Sequence, residues 1–329
     1  MQKPFAAITA MGGYVPDYIL DNEELSRMVD TTDEWIMSRV GIKTRHILKD
    51  PALGSSYLGI KACENLLEHH PFDLGEVDAL ICATTTPDHF FPSTASKICE
   101  GIGLKTAFAF DIEAACSGFI TALTIASTYI ESGRYKKVLV VAAEKMSFMT
   151  DYTDRQTCPL FGDGAAAALI EPNNEGLGII DYKMHTDGVG FPFLHMKSGG
   201  SVSPASHETV ERREHFVYQE GRAVYKHAVT DMSQVCIDIL AANHLTGDDV
   251  DWLVPHQANL RIIDAVIQRA GIRKDSVLVN IDRYGNTSGA SIPLCMWDYL
   301  DRFRKGDNII LAAFGAGFIW GAVYIKWAV

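Results

Sequence analysis

The sequence predicts an α/β fold made of two similar halves, and two observations lead to this prediction. Short apolar runs alternate with amphipathic stretches along the chain, as in sheets covered by helices. One order of motifs also occurs twice. From Val77 to the pair Ser117-Gly118 is 40 residues (117 − 77), and from Val250 to the pair Ser288-Gly289 is 38 (288 − 250). The copies continue to two similar glycine-rich turns, Phe161-Gly162-Asp163-Gly164 and Phe314-Gly315-Ala316-Gly317.

The first copy contains two strands with a helix between them. Ala79–Thr84 and Val138–Ala143 are short and apolar, which is typical of buried strands. Between them, Ser117–Glu131 has helical periodicity, and we expect this helix to stop at Gly133 because glycine commonly ends helices.

The second copy repeats this order of elements. Trp252–Val254 predicts a strand, and a helix is expected from about Ile292 to Phe303. Gly306 follows that helix, and Asn308–Ala313 predicts the next strand.

The boundary between the halves is expected where the pattern is interrupted. Pro, Asn and Gly break it near Pro172–Gly178, so we place the halves at residues 1–175 and 176–329. The polar segment Lys197–Arg213 has no clear period and predicts a surface excursion.

One apolar stretch has nearly the length of a membrane span. It runs from Ile309 to Ile325 and contains Gly315, Gly317 and Gly321. Two buried strands joined at a glycine turn explain it better, so we expect no contact with a membrane.

Composition sets the class of protein. The chain has 329 residues, 47% hydrophobic and 21% charged, which is typical of a globular protein. Seven cysteines without CxxC pairs argue against a disulfide framework and against a zinc site. With no signal peptide recognisable, reduced thiols predict a cytoplasmic location. The formal charge of −12 disfavours nucleic acid as a partner.

Cys116 is the candidate nucleophile. It lies between Ala114-Ala115 and Ser117-Gly118, immediately before an apolar helix. The unpaired N–H groups and the positive dipole end of a helix N-terminus favour a thiolate. We therefore expect an activated sulfur at a sharp turn that follows a strand.

His256 and Asn286 are candidate partners from the second copy. His256 comes just after the predicted strand that ends at Val254, and ligands gather at that edge of open α/β sheets. Asn286 stands in the turn that matches the Cys116 turn. The three side chains suit acyl transfer, in which a thiolate attacks a carbonyl and His and Asn donate hydrogen bonds to the developing oxyanion.

A papain-like protease uses the same three residues in the same order. The interval from Cys116 to His256 is 140 residues (256 − 116), within the range of that family. However, the local signature around the papain cysteine is absent, and a protease does not explain the duplication. We therefore favour acyl transfer over proteolysis.

At these residues the chain resembles the thiolase-fold condensing enzymes, and most closely the β-ketoacyl-acyl carrier protein synthase III family. The resemblance covers nearly the whole chain and implies a duplicated five-layer α-β-α-β-α architecture. Asn286 stands where chain-elongating synthases have a second histidine, and Ala316 occupies a turn in which degradative thiolases need a cysteine. The signatures are Asp30–Ile36, Gly41–His46, Ala114–Phe119, Phe161–Gly164, His256–Asn259 and Gly285–Ser288.

The resemblance implies a two-step reaction without a metal or redox cofactor. A short acyl-CoA acylates Cys116, and malonyl-acyl carrier protein then loses carbon dioxide. His256 and Asn286 stabilise the enolate, which attacks the acyl-cysteine to start type II fatty acid synthesis. Backbone N–H groups of Cys116 and Gly317 form the oxyanion hole.

The resemblance also implies binding residues and a homodimer. Trp35 and Arg155 should sandwich the adenine of CoA, with Thr31 and Arg39 nearby. Phe91 corresponds to a residue that crosses the dimer interface and closes the neighbouring acyl pocket. A basic patch for the acyl carrier protein is expected at Lys226, Arg261 and Arg269.

Two departures leave the primer and the CoA contacts open. Arg222 stands where many members of the family have asparagine, and Tyr225 where they have phenylalanine. Two further interpretations remain: a starter synthase or acyltransferase of a secondary, polyketide-like pathway, and a non-catalytic acyl-binding protein.

Overall fold

The computed structural model describes residues 4–329. In the first half, strands β1 to β7 are Phe5–Tyr14, Ile19–Asp21, Thr44–His46, Ala79–Ala83, Phe108–Ile112, Val138–Lys145 and Asp163–Asn173. Helices α1 to α5 are Asn22–Ser26, Asp33–Arg39, Ser55–His69, Thr94–Ile102 and Gly118–Glu131.

In the second half, strands β8 to β13 are Gly178–Thr186, Leu194–Met196, Val217–Gln219, Trp252–Pro255, Asn308–Gly315 and Ile319–Lys326. Helices α6 to α10 are His207–Glu211, Gly221–Ala242, Leu260–Ala270, Ile281–Tyr284 and Ser291–Asp298.

Two sheets with the same connections form the framework. Their strand orders are β1-β7-β6-β4-β5 and β8-β13-β12-β11. The parallel pair β4 and β6 of the first sheet corresponds to the parallel pair β11 and β12 of the second, and the strands from there to the β1 or β8 edge are antiparallel. A parallel bridge joins Leu253 of β11 to Val277. This bridge has the same position beside β11 that strand β5 has beside β4 in the first sheet. The predicted duplication is confirmed.

The helices form three layers around the two sheets. Helices α5 and α10 lie between the sheets, where Leu123 and Leu294 share one core with Ile81 of the first sheet and Leu311 of the second. Helices α3 and α4 cover the outer face of the first sheet, and α7 and α8 cover that of the second. The resulting α-β-α-β-α order is the one that the resemblance implies. Central strands are buried on both faces, which explains their unbroken apolar runs.

The structure changes the end of one predicted helix and reveals a short helix in a segment that was predicted to be irregular. The helix expected from Ile292 to Phe303 ends at Asp298, because Tyr299 leaves the helical conformation and its hydroxyl donates to the carbonyl of Val279 at 2.7 Å. The polar segment from Lys197 contains the short helix α6, whose capping box begins at Ser206.

The long apolar stretch forms β12 and β13, which pair antiparallel around a tight turn. Within residues 4–329, every helix is too short or too polar to cross a bilayer.

The ends of the parallel strands position the residues of interest. Cys116 follows β5, and His256 follows β11 directly. Asn286 lies between α9 and α10, just before the second central helix. Because the carboxyl ends of parallel strands meet at one edge of a sheet, both halves contribute polar groups to the same seam.

Candidate active site

A cavity of about 870 Å³ lies at this seam. Cys116 lines it from the first half, and His256, Asn286 and Gly317 line it from the second. The structure therefore brings the three candidate side chains and the expected oxyanion-hole glycine into one cavity. Most of the remaining wall is apolar, including Met146, Leu160, Phe161, Val224, Met232 and Phe314.

A left-handed residue forms the turn that presents Cys116. Ala115 has φ 45°, and a single turn of 3-10 helix, Ala115–Ser117, then leads into α5. In the second half Ser288 has φ 49° and begins the corresponding turn before α10. When Ala115 is aligned with Ser288, Cys116 aligns with Gly289. Asn286 lies two residues before Ser288.

Burial works against ionisation of the Cys116 thiol. Burial raises its pKa to about 12; the hydrogen bond with Ser288 lowers it, and the charges of Glu144 and Glu113 raise it. A helix N-terminus stabilises a charge by ~0.3–1 kcal/mol, which is less than one pKa unit, ~1.4 kcal/mol. Burial therefore opposes the expected resting thiolate more strongly than the helix dipole favours it.

His256 is held as a neutral hydrogen-bond donor. It is buried, and this burial lowers its pKa to about 3. Its Nδ1 lies 2.7 Å from the hydroxyl oxygen of Ser291, which also accepts the Gln257 N–H at 3.3 Å. Because a hydroxyl can accept one hydrogen bond and donate another, the Ser291 proton is available to Nδ1, an arrangement that leaves the ring proton on Nε2.

Asn286 is fixed by the contact between the two halves. Its N–H donates to the carbonyl of Leu160 at 2.8 Å, and its own carbonyl accepts the N–H of Gly162 at 3.1 Å. The side-chain oxygen accepts the N–H of Ser288 at 2.8 Å. Because the oxygen is occupied within the turn, the NH₂ group is the part that remains for a ligand.

The expected adenine site is closed by a direct contact. Trp35 and Arg39 line the cavity, but the Arg155 guanidinium stacks 4.9 Å from the centroid of the Trp35 ring and pairs with Asp30 at 3.2 Å. An adenine between them needs roughly 7 Å, two ordinary contacts of ~3.5 Å. Arg155 must therefore move outward before the sandwich can form. Thr31 is buried outside the cavity lining, and its hydroxyl has no partner among the described residues.

The expected carrier-protein residues lie on the packed helices α7 and α8. Arg261, in the first turn of α8, lines the cavity, and its guanidinium stacks on Tyr225 of α7 at 5.2 Å. Lys226 is exposed on α7. Arg269 is exposed eight residues beyond Arg261, roughly 12 Å along the helix. Arg222 also lines the cavity, so the departure noted in the sequence lies within the site.

Phe91 lies outside the cavity of its own chain. It is 85% exposed, next to the equally exposed Phe90. A role in acyl binding therefore requires a second chain.

Sequence reasoning missed three polar residues at the site: Glu144, Ser288 and Ser291. Glu144 had a visible signal, because this carboxylate directly follows the six apolar residues that begin strand β6. Within residues 4–329, no group of three or more His, Cys, Asp or Glu side chains could hold a metal ion.

Comparisons with known proteins point to one family. The family description 3-oxoacyl-[acyl-carrier-protein] synthase III matches residues 110–188, and that of its C-terminal part matches 240–327. The β-ketoacyl-[acyl-carrier-protein] synthase III 2 of Bacteroides thetaiotaomicron is 58% identical over 99% of this chain and 98% of its own. The synthase III of Porphyromonas gingivalis W83 is 54% identical over 100% and 98%. The solved synthase III of Thermus thermophilus has a TM-score of 0.90 at 41% identity, covering 98% of this chain and 99% of its own.

Proposed function

The chain belongs to the 3-oxoacyl-[acyl-carrier-protein] synthase III family, and we propose that Cys116, His256 and Asn286 carry out its condensation reaction. The chain is thus a condensing acyltransferase of fatty acid synthesis with the thiolase fold. One observation supports the assignment of roles most strongly: a single cavity contains a cysteine, a neutral imidazole and an asparagine amide, drawn from both halves.

In the first step Cys116 takes an acyl group from a short acyl-CoA. The sulfur attacks the thioester carbonyl, and the N–H groups of Cys116 and Gly317 stabilise the oxyanion. Gly317 suits this task because its φ of 138° turns the backbone in a way that side chains rarely allow. Coenzyme A leaves, and the acyl group stays on the enzyme as a reactive thioester.

In the second step malonyl-acyl carrier protein loses carbon dioxide. The enolate oxygen then accepts hydrogen bonds from Nε2–H of His256 and from the NH₂ of Asn286. A neutral histidine suits this role, since it donates a proton to a hydrogen bond without having to lose it. The enolate carbon attacks the acyl-cysteine, and the 3-oxoacyl product leaves on the carrier protein while Cys116 is released.

Both substrates reach the sulfur through the arginine-lined end of the cavity. The nucleotide part of acyl-CoA binds at Trp35, Arg39 and, after it moves, Arg155, whereas Thr31 is buried outside the cavity lining. The carrier protein is attracted by a local basic patch at Lys226, Arg261 and Arg269. The patch is needed because the chain as a whole has a net charge of −12.

The working enzyme is a homodimer that acts without a metal or redox cofactor. Loss of carbon dioxide drives the carbon–carbon bond formation, so no other source of driving force is needed. Phe91, exposed in one chain, would close the acyl pocket of its partner. All seven cysteines are free thiols, which fits a cytoplasmic enzyme.

Incubation with acetyl-CoA is expected to add one acetyl mass to the intact protein. The Cys116→Ala variant should remain unmodified, because the other six thiols do not line the cavity. Intact-protein mass spectrometry makes the measurement, with Cys236→Ala as the matched control that still gains the acetyl group. Acetylation of Cys116→Ala, or none of the wild type with any short acyl-CoA, would reject the proposal.

A further inference from the structure

Arg45 is a fully buried cation near the contact between the two halves. Its hydrogen-bond acceptors among the described residues are all neutral oxygens, and its Nε–H has no partner there. Burying a charge is costly, and neutral acceptors compensate for it less than a carboxylate would. Stability alone therefore does not explain why an arginine lies at this position, and the two-step reaction described above gives it no role.

The guanidinium of Arg45 joins two distant segments of the first half. Its Nη1 donates to the carbonyl of Leu20 at 3.1 Å and to the side-chain oxygen of Asn22 at 2.8 Å. Its Nη2 donates to the carbonyl of Pro159 at 2.8 Å. Because a guanidinium presents its donors in a rigid plane, the three bonds fix the Pro159 carbonyl relative to strand β2.

The segment that Arg45 holds is the one that holds Asn286. Leu160, which follows Pro159, accepts the N–H of Asn286 on its carbonyl at 2.8 Å. Gly162 donates its N–H to the carbonyl of Asn286 at 3.1 Å. A shift of the Pro159 carbonyl would therefore move the backbone of Asn286.

The aliphatic stem of Arg45 packs against the same place. A Cβ added at Gly162 would lie 3.1 Å from Cβ of Arg45, and one added at Gly285 would lie 3.4 Å from it. These two glycines flank the bridge between Phe161 and Asn286. Head and stem of Arg45 thus support one contact, which joins the first half to the turn of Asn286.

We propose that Arg45 is a positioning residue that keeps the NH₂ group of Asn286 where the enolate oxygen forms. The proposal rests on the proposed function and adds a support to its second step. Arg45 does not line the cavity, so it acts through the backbone of Pro159 and Leu160 and through the two glycines. Small displacements matter here, because a misplacement of ~1 Å can lower a rate by about 10²-fold.

The groups that serve acylation are held independently of Arg45. Cys116 lies in the turn before α5, and Gly317 lies in the turn between β12 and β13. Helix α2, which carries Trp35 and Arg39, is attached through Asp33, whose carboxylate accepts the side-chain N–H of Asn22 at 2.8 Å. Asn22 also donates to the carbonyl of Ile42 at 2.8 Å, so it stays anchored when Arg45 is replaced. Loss of Arg45 should therefore affect the second step and spare the first.

The Arg45→Met variant, which keeps a long stem but loses every donor, tests the proposal. Release of carbon dioxide from malonyl-acyl carrier protein by the acetylated enzyme should fall by about 10- to 100-fold. The rate of acetyl transfer to Cys116 and the KM for acetyl-CoA should stay within about threefold of wild type. Arg45→Lys keeps the charge but has one ammonium in place of the planar fork, so its decarboxylation rate should lie between those of wild type and Arg45→Met.

A double variant separates positioning from general support of the fold. In an Asn286→Ala background, Arg45→Met should lower carbon dioxide release by less than about threefold, because the group that Arg45 positions is already gone. Independent effects would instead multiply. Leu66→Ala is the control for lost stability, since it removes a fully buried side chain of α3 on the outer face of the first sheet. It should unfold at a lower denaturant concentration and keep both rates.

Each outcome decides a different claim. Equal losses in both steps, multiplied losses in the double variant, or unchanged decarboxylation in Arg45→Met would overturn the proposal and leave the proposed function intact. If Arg45→Met does not fold, the same comparison of steps in Arg45→Lys decides. Unchanged decarboxylation in Asn286→Ala, or a wild type that is not acylated at all, would instead overturn the proposed function.

Discussion

Replacing His256 or Asn286 by alanine is expected to lower the rate of condensation by about 10²- to 10³-fold, the usual cost of losing one preorganised oxyanion donor. Acylation of Cys116 should stay within about threefold, because neither side chain stabilises the first oxyanion. The reason is geometric: Nδ1 of His256 and the side-chain oxygen of Asn286 are both occupied, so each residue has a donor left for the enolate. Carbon dioxide release from malonyl-acyl carrier protein, measured beside acetyl transfer, separates the two steps.

Alanine variants of a histidine and an asparagine that lie outside the cavity provide the control. His185 stacks on Trp320 and Asn243 bonds Asp181 at 2.8 Å, both outside the cavity lining. Their alanine variants should keep both rates. Equal losses of acylation and decarboxylation in His256→Ala or Asn286→Ala would show that these residues support the fold of the site and not the enolate.

Gly162→Ala is expected to lower the free energy of unfolding by about 3 kcal/mol or more, the upper range for overpacking. An added Cβ would lie 2.2 Å from the carbonyl oxygen of Tyr284 and 3.1 Å from Cβ of Arg45. Neither can yield easily, since the carbonyl belongs to the backbone that leads into Asn286, and Arg45 is fully buried. The added methyl must push the Phe161–Asn286 bridge apart, so condensation should fall as well.

The midpoint of chemical unfolding at fixed protein concentration measures this loss. Gly200→Ala is the matched control, because a Cβ at that exposed glycine meets nothing within 4 Å. A Gly162→Ala variant as stable and as active as Gly200→Ala would contradict the view that this contact holds Asn286 in place.

The sequence was sufficient for features that local pattern determines. The two copies could be recognised because both central helices begin at a turn of small residues, and the strands of both sheets are apolar. The grouping of Cys116, His256 and Asn286 then followed from the pseudo-symmetry. The two halves have similar sequence patterns because each must bury both faces of its sheet and its central helix.

Features that depend on tertiary contacts could not be predicted in this way. The end of α10 is set by a hydrogen bond from Tyr299 to Val279, 20 residues away. The protonation of Cys116 is set by burial and by Glu144, which is 28 residues further along the chain (144 − 116). The contact of Arg155 with Trp35 joins segments 120 residues apart (155 − 35). No local pattern encodes these encounters.

A chase of the isolated acyl-enzyme tests the central claim most directly. Wild-type protein carrying a labelled acetyl group on Cys116 is freed of CoA and mixed with malonyl-acyl carrier protein. We predict that the acetyl mass leaves the enzyme and that the label appears in 3-oxoacyl-acyl carrier protein, one for one with carbon dioxide released. Label that stays on Cys116, or that leaves only as free acetate, would contradict the account.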